Sequence, residues 1–360
     1  MVGLRFAVTG VTVGVCSNHY MEEFAVPHTP PWEPGLLSSL TGVGPGPSAR
    51  DKRAALRAAL AAAASRPGGG IEPLVLPGAT DALGARLVEE AGFAAVYATG
   101  AGLANAGFGL PDIGLISLAE VADHAGRLAE ATRIPLVCDA DTGYGGPLSA
   151  MRTVRLLERA GVAGIQLEDQ EMPKRCGHFD AHTLIPSGHM QTKIAAACEA
   201  RGADTGTGTG TGDRLVIIAR TDARSAHGID EAIERGRAYA EAGADALFIE
   251  APRTVDELAL VGCELAGVPL IVNVVEGGKT PQLDVAAYAE LGFGVVLFAN
   301  YLMRSMHLAG REALAHLREH GETASRADRM ATWSQRQNLF HLPEFSAAES
   351  ALDRELGSIG

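Results

Sequence analysis

Acidic residues recur in this chain directly after short apolar runs. Asp139 and Asp141 stand two apart at the end of one run, and Glu168 ends another with Asp169 behind it. Glu250 ends a third, and Asp112 lies on a loop between two such runs. If those run ends converge on one rim, the carboxylates repel one another unless a cation neutralises them. The donors are all oxygens with no His among them, a set that suits Mg²⁺, with Mn²⁺ as the second choice, rather than zinc. A lone Asp-x-Asp is also an ordinary turn signal, and the company of Glu168 and Asp112 tips the reading toward metal. Asp139 and Asp141 can both reach the rim only if the strand bends or ends between them, which Gly143 permits.

Other polar residues stand at the same kind of place. Arg220 closes a fourth run, where burial demands either the carboxylates of Asp222 and Glu250 or an anionic substrate, and we favour the substrate. Asn273 ends a further run, with Glu276 just beyond. Gly100 and the small Ala101, after Thr99, let a backbone N–H approach a carboxylate, although close loop packing asks for the same residues. The stretch 170–179 holds Lys174, Arg175, Cys176, Gly177 and His178. Two adjacent cations lower the pKa of a thiol, making Cys176 a thiolate and a reversible proton carrier, and Gly177 lets the loop fold tightly. An incidental Cys on a basic loop is the bland alternative. A zinc site from Cys176, His178, His182 and His189 is another, opposed by irregular spacing and by the neighbouring cations.

Such residues need a frame that gathers strand ends. Short β-branched or apolar runs fall at 74–76, 94–99, 135–139, 164–168, 215–220, 246–250, 269–273 and 295–298. Amphipathic stretches at 82–91, 118–132, 150–160, 191–200, 229–242 and 255–265 lie between them. Gly92, Gly161, Gly243 and Gly292 each end a helix where a left-handed turn leads into the next strand. Eight β-then-α units predict a (β/α)8 TIM barrel over 71–320, with a doubly wound sheet as the competitor. Residues 1–70 read as an irregular extension with one helix over 48–65 capped by Ser48, and 321–360 as a C-terminal helical segment. The Thr-Gly repeat at 205–212 has no following Lys and reads as a surface insertion without chemistry.

Composition closes off other classes. The 360 residues are 47% hydrophobic and 20% charged, enough to bury a large core. The net charge of −13 argues against nucleic-acid partners. No apolar run of 18 residues marks a membrane span, and the apolar stretch 4–16 carries a single Arg5 and no cleavage pattern. Five scattered cysteines without C-x-x-C fit a reducing cytoplasm.

Taken together, these residues resemble the isocitrate lyase/phosphoenolpyruvate mutase superfamily over about 73–318. The motifs that carry the resemblance are Asp139-Ala140-Asp141-Thr142-Gly143-Tyr144-Gly145, Ile165-Gln166-Leu167-Glu168-Asp169-Gln170, Lys174-Arg175-Cys176-Gly177-His178, Ala219-Arg220-Thr221-Asp222-Ala223 and Asn273-Val274-Val275-Glu276-Gly277-Gly278-Lys279-Thr280-Pro281. The resemblance implies that Asp139 binds Mg²⁺ directly while Asp141, Asp112 and Glu168 hold its waters. Thr99, Gly100 and Ala101 match the place of a Ser-Gly-Gly carboxylate-binding turn. Arg220, Glu250 and Asn273 line the substrate with Gly177, and Cys176 sits on a gating loop. Phosphoenolpyruvate mutases carry an Asn-containing loop there, so the thiol points to C–C cleavage.

Two departures bear on the substrate. Thr99 and Ala101 replace Ser and Gly, and Val275 stands where methylisocitrate lyases usually have Thr on the extra carboxylate. The 276–281 tail is similar to the alkylmalate lyase and oxaloacetate hydrolase branch, which turns the expectation away from a tricarboxylate. The expected reaction is retro-aldol cleavage of a substituted malate-type dicarboxylate to a 2-oxo acid and a carboxylic acid. Tyr97 or a metal-bound hydroxide serves as base, and Cys176 protonates the carbanion while Lys174, Arg175 and His178 compensate charge. Hydrolysis or decarboxylation of an oxaloacetate-like acid, phosphonate C–P chemistry and a non-catalytic barrel are the alternatives. The superfamily also implies a homo-oligomer, a dimer of dimers with the last barrel helix exchanged between subunits.

Overall fold

The computed structural model describes residues 46–64, 73–174, 183–201 and 213–358. The extension before residue 46, the Arg175–His178 group with His182, and the Thr-Gly repeat lie outside the described residues. Eight parallel strands close into a barrel in chain order. They are β1 (Leu74–Ala79), β2 (Val96–Ala98), β3 (Leu136–Asp139), β4 (Gly164–Glu168), β5 (Val216–Thr221), β6 (Ala246–Ile249), β7 (Leu270–Asn273) and β8 (Val295–Phe298). Pairing of β1 with β8, Leu74 opposite Val295 and Pro77 opposite Phe298, excludes the doubly wound sheet. Every expected run carries a strand. The second is shorter than expected because Thr99 leaves the strand to cap a helical turn at Gly100–Gly102.

Helices alternate with the strands as the periodicity predicts: α1 (Ala49–Ala63), α2 (Ala82–Glu90), α3 (Leu118–Ala131), α4 (Pro147–Arg159), α5 (Ser187–Ala200), α6 (Ile229–Glu241), α7 (Val255–Glu264), α8 (Val285–Glu290) and α9 (Tyr301–His320). Helix α4 starts earlier than its apolar pattern suggests because Pro147 occupies the first helical position, where its missing N–H costs nothing. The four expected glycines all have left-handed backbone, with φ of 85° at Gly92, 86° at Gly161, 105° at Gly243 and 95° at Gly292. Beyond α9 come α10 (Trp333–Leu339) and α11 (Leu342–Ser358). One compact unit runs to Leu342, and the residues from Pro343 belong to another. Among the described residues, no helix is long and apolar enough to cross a membrane.

Helix α1 has a specific place. Ser48 and Asp51 form a reciprocal capping box at its start. Its buried Leu56 and Leu60 join the same apolar cluster as the inward side chains Leu74, Leu76, Val137, Ile218, Phe248 and Val295. The helix thereby closes the amino-terminal end of the barrel, leaving the carboxyl end for chemistry.

Candidate active site

Strand side chains alternate, so every second residue of a barrel strand faces inward. In β3 that set runs Val137 then Asp139, in β4 Gly164, Gln166, Glu168, and in β5 Val216, Ile218, Arg220. Along β6 it continues past the strand from Ala246 and Phe248 to Glu250, and in β7 it runs Ile271 then Asn273. Each series turns polar at its carboxyl end, where a cavity of about 110 Å³ opens. Ten of the expected site residues line it: Tyr97, Thr99, Ala101, Asp112, Asp139, Glu168, Lys174, Arg220, Glu250 and Asn273. Gly100 and Asp141 stand directly behind this wall. A Cβ on Gly100 would lie 2.9 Å from Asp139 Oδ2 and 3.4 Å from Asp141 Oδ1. Arg175, Cys176, Gly177 and His178 lie outside the described residues, and with them all of the zinc alternative except His189 on α5. Glu276 is turned away to Arg304, 3.0 Å from its guanidinium.

Two of the carboxylates, Asp112 and Asp141, share one internal cation. Lys174 Nζ lies 2.6 Å from Asp112 Oδ1 and 2.8 Å from Asp141 Oδ1, with the side chain almost wholly buried. Burial alone would lower the lysine pKa, but Asp141, Asp139, Glu168 and Asp112 outweigh it and keep the ammonium charged. The charge Lys174 compensates is therefore that of the acidic cluster. Asp141 is bent into position by its own left-handed backbone, φ 47°, rather than by Gly143 alone. Its N–H donates to Asp139 Oδ1 at 3.1 Å, and burial raises its carboxyl to about 6 despite Lys174.

Among the described residues, no group of three or more His, Cys, Asp or Glu side chains is drawn together to hold a metal ion by itself. A cation that keeps most of its water needs only one direct protein ligand. Asp139 fits that part, with Gly100 leaving space beside Oδ2. The buried Glu168 Oε1 has no hydrogen-bond partner and suits a metal-held water.

Arg220 meets the carboxylates that the sequence offered as its neighbours, and it lines the cavity. Its guanidinium donates to Asp222 at 3.0 and 2.9 Å, and Nη2 lies 3.2 Å from Glu250. Nη1 is 3.5 Å from Glu168, and the group stacks 5.1 Å over Phe248. Strand register explains the first of these neighbours, since Glu168 and Arg220 are direct partners across β4 and β5. Buried bidentate pairing of this kind fixes a planar cation in one orientation. Its face still borders the cavity, so it can act on an anion without leaving its partners.

Tyr97 does not suit the role of base. Its hydroxyl donates to Gln166 Oε1 at 3.0 Å, and burial together with Asp139 raises its pKa well above the ordinary value. It serves as a fixed hydrogen-bond donor. Two features escaped the sequence reading. Asn300, just past the inward Leu297 and Ala299, lines the cavity, and extending the strand-end rule to β8 would have found it. Asp169, inside a quoted motif but given no role, is wholly buried among four donors from β5 and α6.

The fold is that of a known family. The sequence profile of phosphoenolpyruvate phosphomutase matches residues 68–318. The chain belongs to the phosphoenolpyruvate mutase/isocitrate lyase superfamily. The 2,3-dimethylmalate lyase of Eubacterium barkeri is 40% identical over 276 residues, 77% of this chain and 92% of that one. A crystal structure of 2,3-dimethylmalate lyase superposes with a TM-score of 0.75 at 34% identity, covering 85% of this chain and 95% of the other. Phosphonopyruvate hydrolase, solved with oxalate and Mg²⁺, superposes at 0.71 with 31% identity, covering 83% and 98%. The chain is an enzyme of this superfamily.

Proposed function

We propose that the chain is a Mg²⁺-dependent carbon–carbon lyase that cleaves a substituted malate-type 2-hydroxy dicarboxylate into a 2-oxo acid and a carboxylic acid. The observation that carries this reading is the make-up of the cavity. Asp139, Glu168, Arg220 and Glu250 line it together with an apolar surface from Phe248, Val275, Leu297 and Ala299. Arg220 and a cation drawn by Asp139 and Glu168 suit the substrate carboxylates and the apolar surface suits an alkyl substituent, whereas Val275 offers nothing to a third carboxylate.

Asp139, Asp141, Asp112 and Glu168 would hold Mg²⁺, which would supply Lewis-acid stabilisation of the developing negative charge. The turn at Thr99, Gly100 and Ala101 offers backbone N–H groups to one substrate carboxylate. Arg220, held rigid by Asp222, faces the charge that builds as the C2–C3 bond breaks. Glu250 and Asn273 orient the ligand. The C2 hydroxyl proton passes to a carboxylate of the acidic cluster at the cavity wall. The electrons of the broken bond remain on the departing enediolate. Cys176, with Arg175, Gly177 and His178 beside it in sequence, delivers a proton to that carbon.

The test is a product assay with and without Mg²⁺ on substituted malates, oxaloacetate and phosphonopyruvate. Release of a 2-oxo acid from a substituted malate supports the lyase. The likeness to phosphonopyruvate hydrolase favours hydrolysis as a second reading, which oxalate or phosphate release would select instead. The same proposal takes the enzyme as a cytoplasmic homo-oligomer, a dimer of dimers that exchanges its last barrel helix. Its support is α9, a 20-residue helix with no buried residue, in which Leu308 and Leu314 are 60% and 68% exposed.

A further inference from the structure

Asn300 opens α9, and a helix-opening Asn ordinarily turns its side chain back onto the first backbone N–H groups of the helix. Here the side chain makes no such bond. It reaches instead to Thr99, whose hydroxyl donates to Asn300 Oδ1 at 3.2 Å. Thr99 Oγ1 also accepts the N–H of Gly102 at 3.2 Å, while its single hydrogen goes to Asn300 Oδ1. The carboxamide oxygen is thereby fixed toward Thr99, and the two Nδ2 hydrogens remain as donors in a residue that lines the cavity.

The backbone brings Asn300 there deliberately. Strand β1 lies between β8 and β2, so a residue after β8 must pass over β1 to meet Thr99. It does so at Gly78, where a Cβ would stand 1.9 Å from the Ala299 carbonyl oxygen and 2.9 Å from Ala299 Cα. Only a residue without a side chain admits that crossing. A neutral amide also has an advantage in this cavity: it donates hydrogen bonds without being drawn into ion pairs with Asp139 or Glu168, as an added cation would be.

We propose that Asn300 is a substrate-binding residue of this site, donating from Nδ2 to the carboxylate that rests at Thr99, Gly100 and Ala101. The inference rests on the reading of the cavity as a carboxylate site. Thr99 and the Gly78 crossing hold the amide in the orientation that ligand needs.

The test uses the full chain, with oxalate as probe in the presence of Mg²⁺, read by calorimetry. Asn300→Ser keeps a good helix-opening residue while removing the amide donors. Asn300→Asp keeps the shape and replaces the donors with negative charge. Oxalate affinity is expected to fall about tenfold in Asn300→Ser and further in Asn300→Asp, the loss of a hydrogen bond to a charged acceptor. With a substituted malate, KM should rise while kcat stays within about threefold, the pattern of lost uniform binding. Cooperative thermal unfolding of each variant separates this from structural damage, and Asn300→Ser decides if Asn300→Asp does not fold. Wild-type oxalate affinity in the folded variants overturns the inference and leaves the carboxylate site standing. Failure of the unaltered chain to bind oxalate overturns both.

Discussion

The carboxylate of Asp169 accepts the phenolic hydrogen of Tyr239 at 2.8 Å, and neither side chain reaches solvent. The same carboxylate takes Thr221 Oγ1 at 2.7 Å, the Asp222 N–H at 3.0 Å and Arg235 Nη1 at 3.1 Å. One buried anion, next to Glu168 in sequence, thus ties β4 to α6 and to the two residues that follow Arg220. Asp169→Ala should cost about 3–5 kcal/mol of stability, because Arg235 would be left without its buried partner. Urea unfolding measures this, and a loss below about 1 kcal/mol would show that the cluster repacks without it.

Gly100 is constrained by what stands opposite. A methyl group there would press on Asp139 Oδ2, the side chain proposed to meet the metal. Gly100→Ala should fold normally and lose about a hundredfold in turnover, since small displacements at a reacting centre are costly. Manganese binding followed by paramagnetic resonance should weaken in parallel. Unchanged metal affinity would remove Gly100 from the site.

Lys174 occupies the acidic cluster from within, 2.6 Å from Asp112 and 2.8 Å from Asp141. Its ammonium and a divalent cation therefore repel each other at short range. Lys174→Met should bind Mn²⁺ on the order of tenfold more tightly, because one positive charge no longer opposes the metal. Its turnover should nonetheless fall, with Asp112 and Asp141 released from their shared partner. Weaker metal binding in that variant would mean the lysine positions the carboxylates more than it competes with the cation.

Cys176 is assigned the proton that reaches carbon. Cys176→Ser should lower turnover by about 10²–10⁴, the range for loss of a general acid. Oxalate binding with Mg²⁺ should survive. A Cys176→Ser enzyme with full activity removes the thiol from the reaction and favours the hydrolytic reading.

The barrel was legible because two local signals agree: apolar runs of strand size, and a glycine in left-handed backbone after four of the helices, as at Gly92 and Gly161. The rim carboxylates were legible for a related reason, since Asp139, Glu168 and Glu250 each follow their own strand's inward alternation. What was hidden depends on neighbours that only closure supplies. Glu168 stands opposite Arg220 because β4 and β5 pair in that register, a fact absent from either segment alone. Asn300 meets Thr99 across an intervening strand, through a gap that belongs to Gly78. The left-handed backbone of Asp141 was likewise obscured, because Gly143 two residues on was the more obvious place to turn.

Helix α1 seals one mouth of the barrel with Leu56 and Leu60. The site is consequently a blind well rather than a passage. In the proposed cleavage, substrate, both products and solvent would share the carboxyl-end doorway left by the described residues, so the first product to form must leave past whatever stands above the rim. Order of release and protection of the carbanion from stray water become one problem with one solution, located entirely at the carboxyl end.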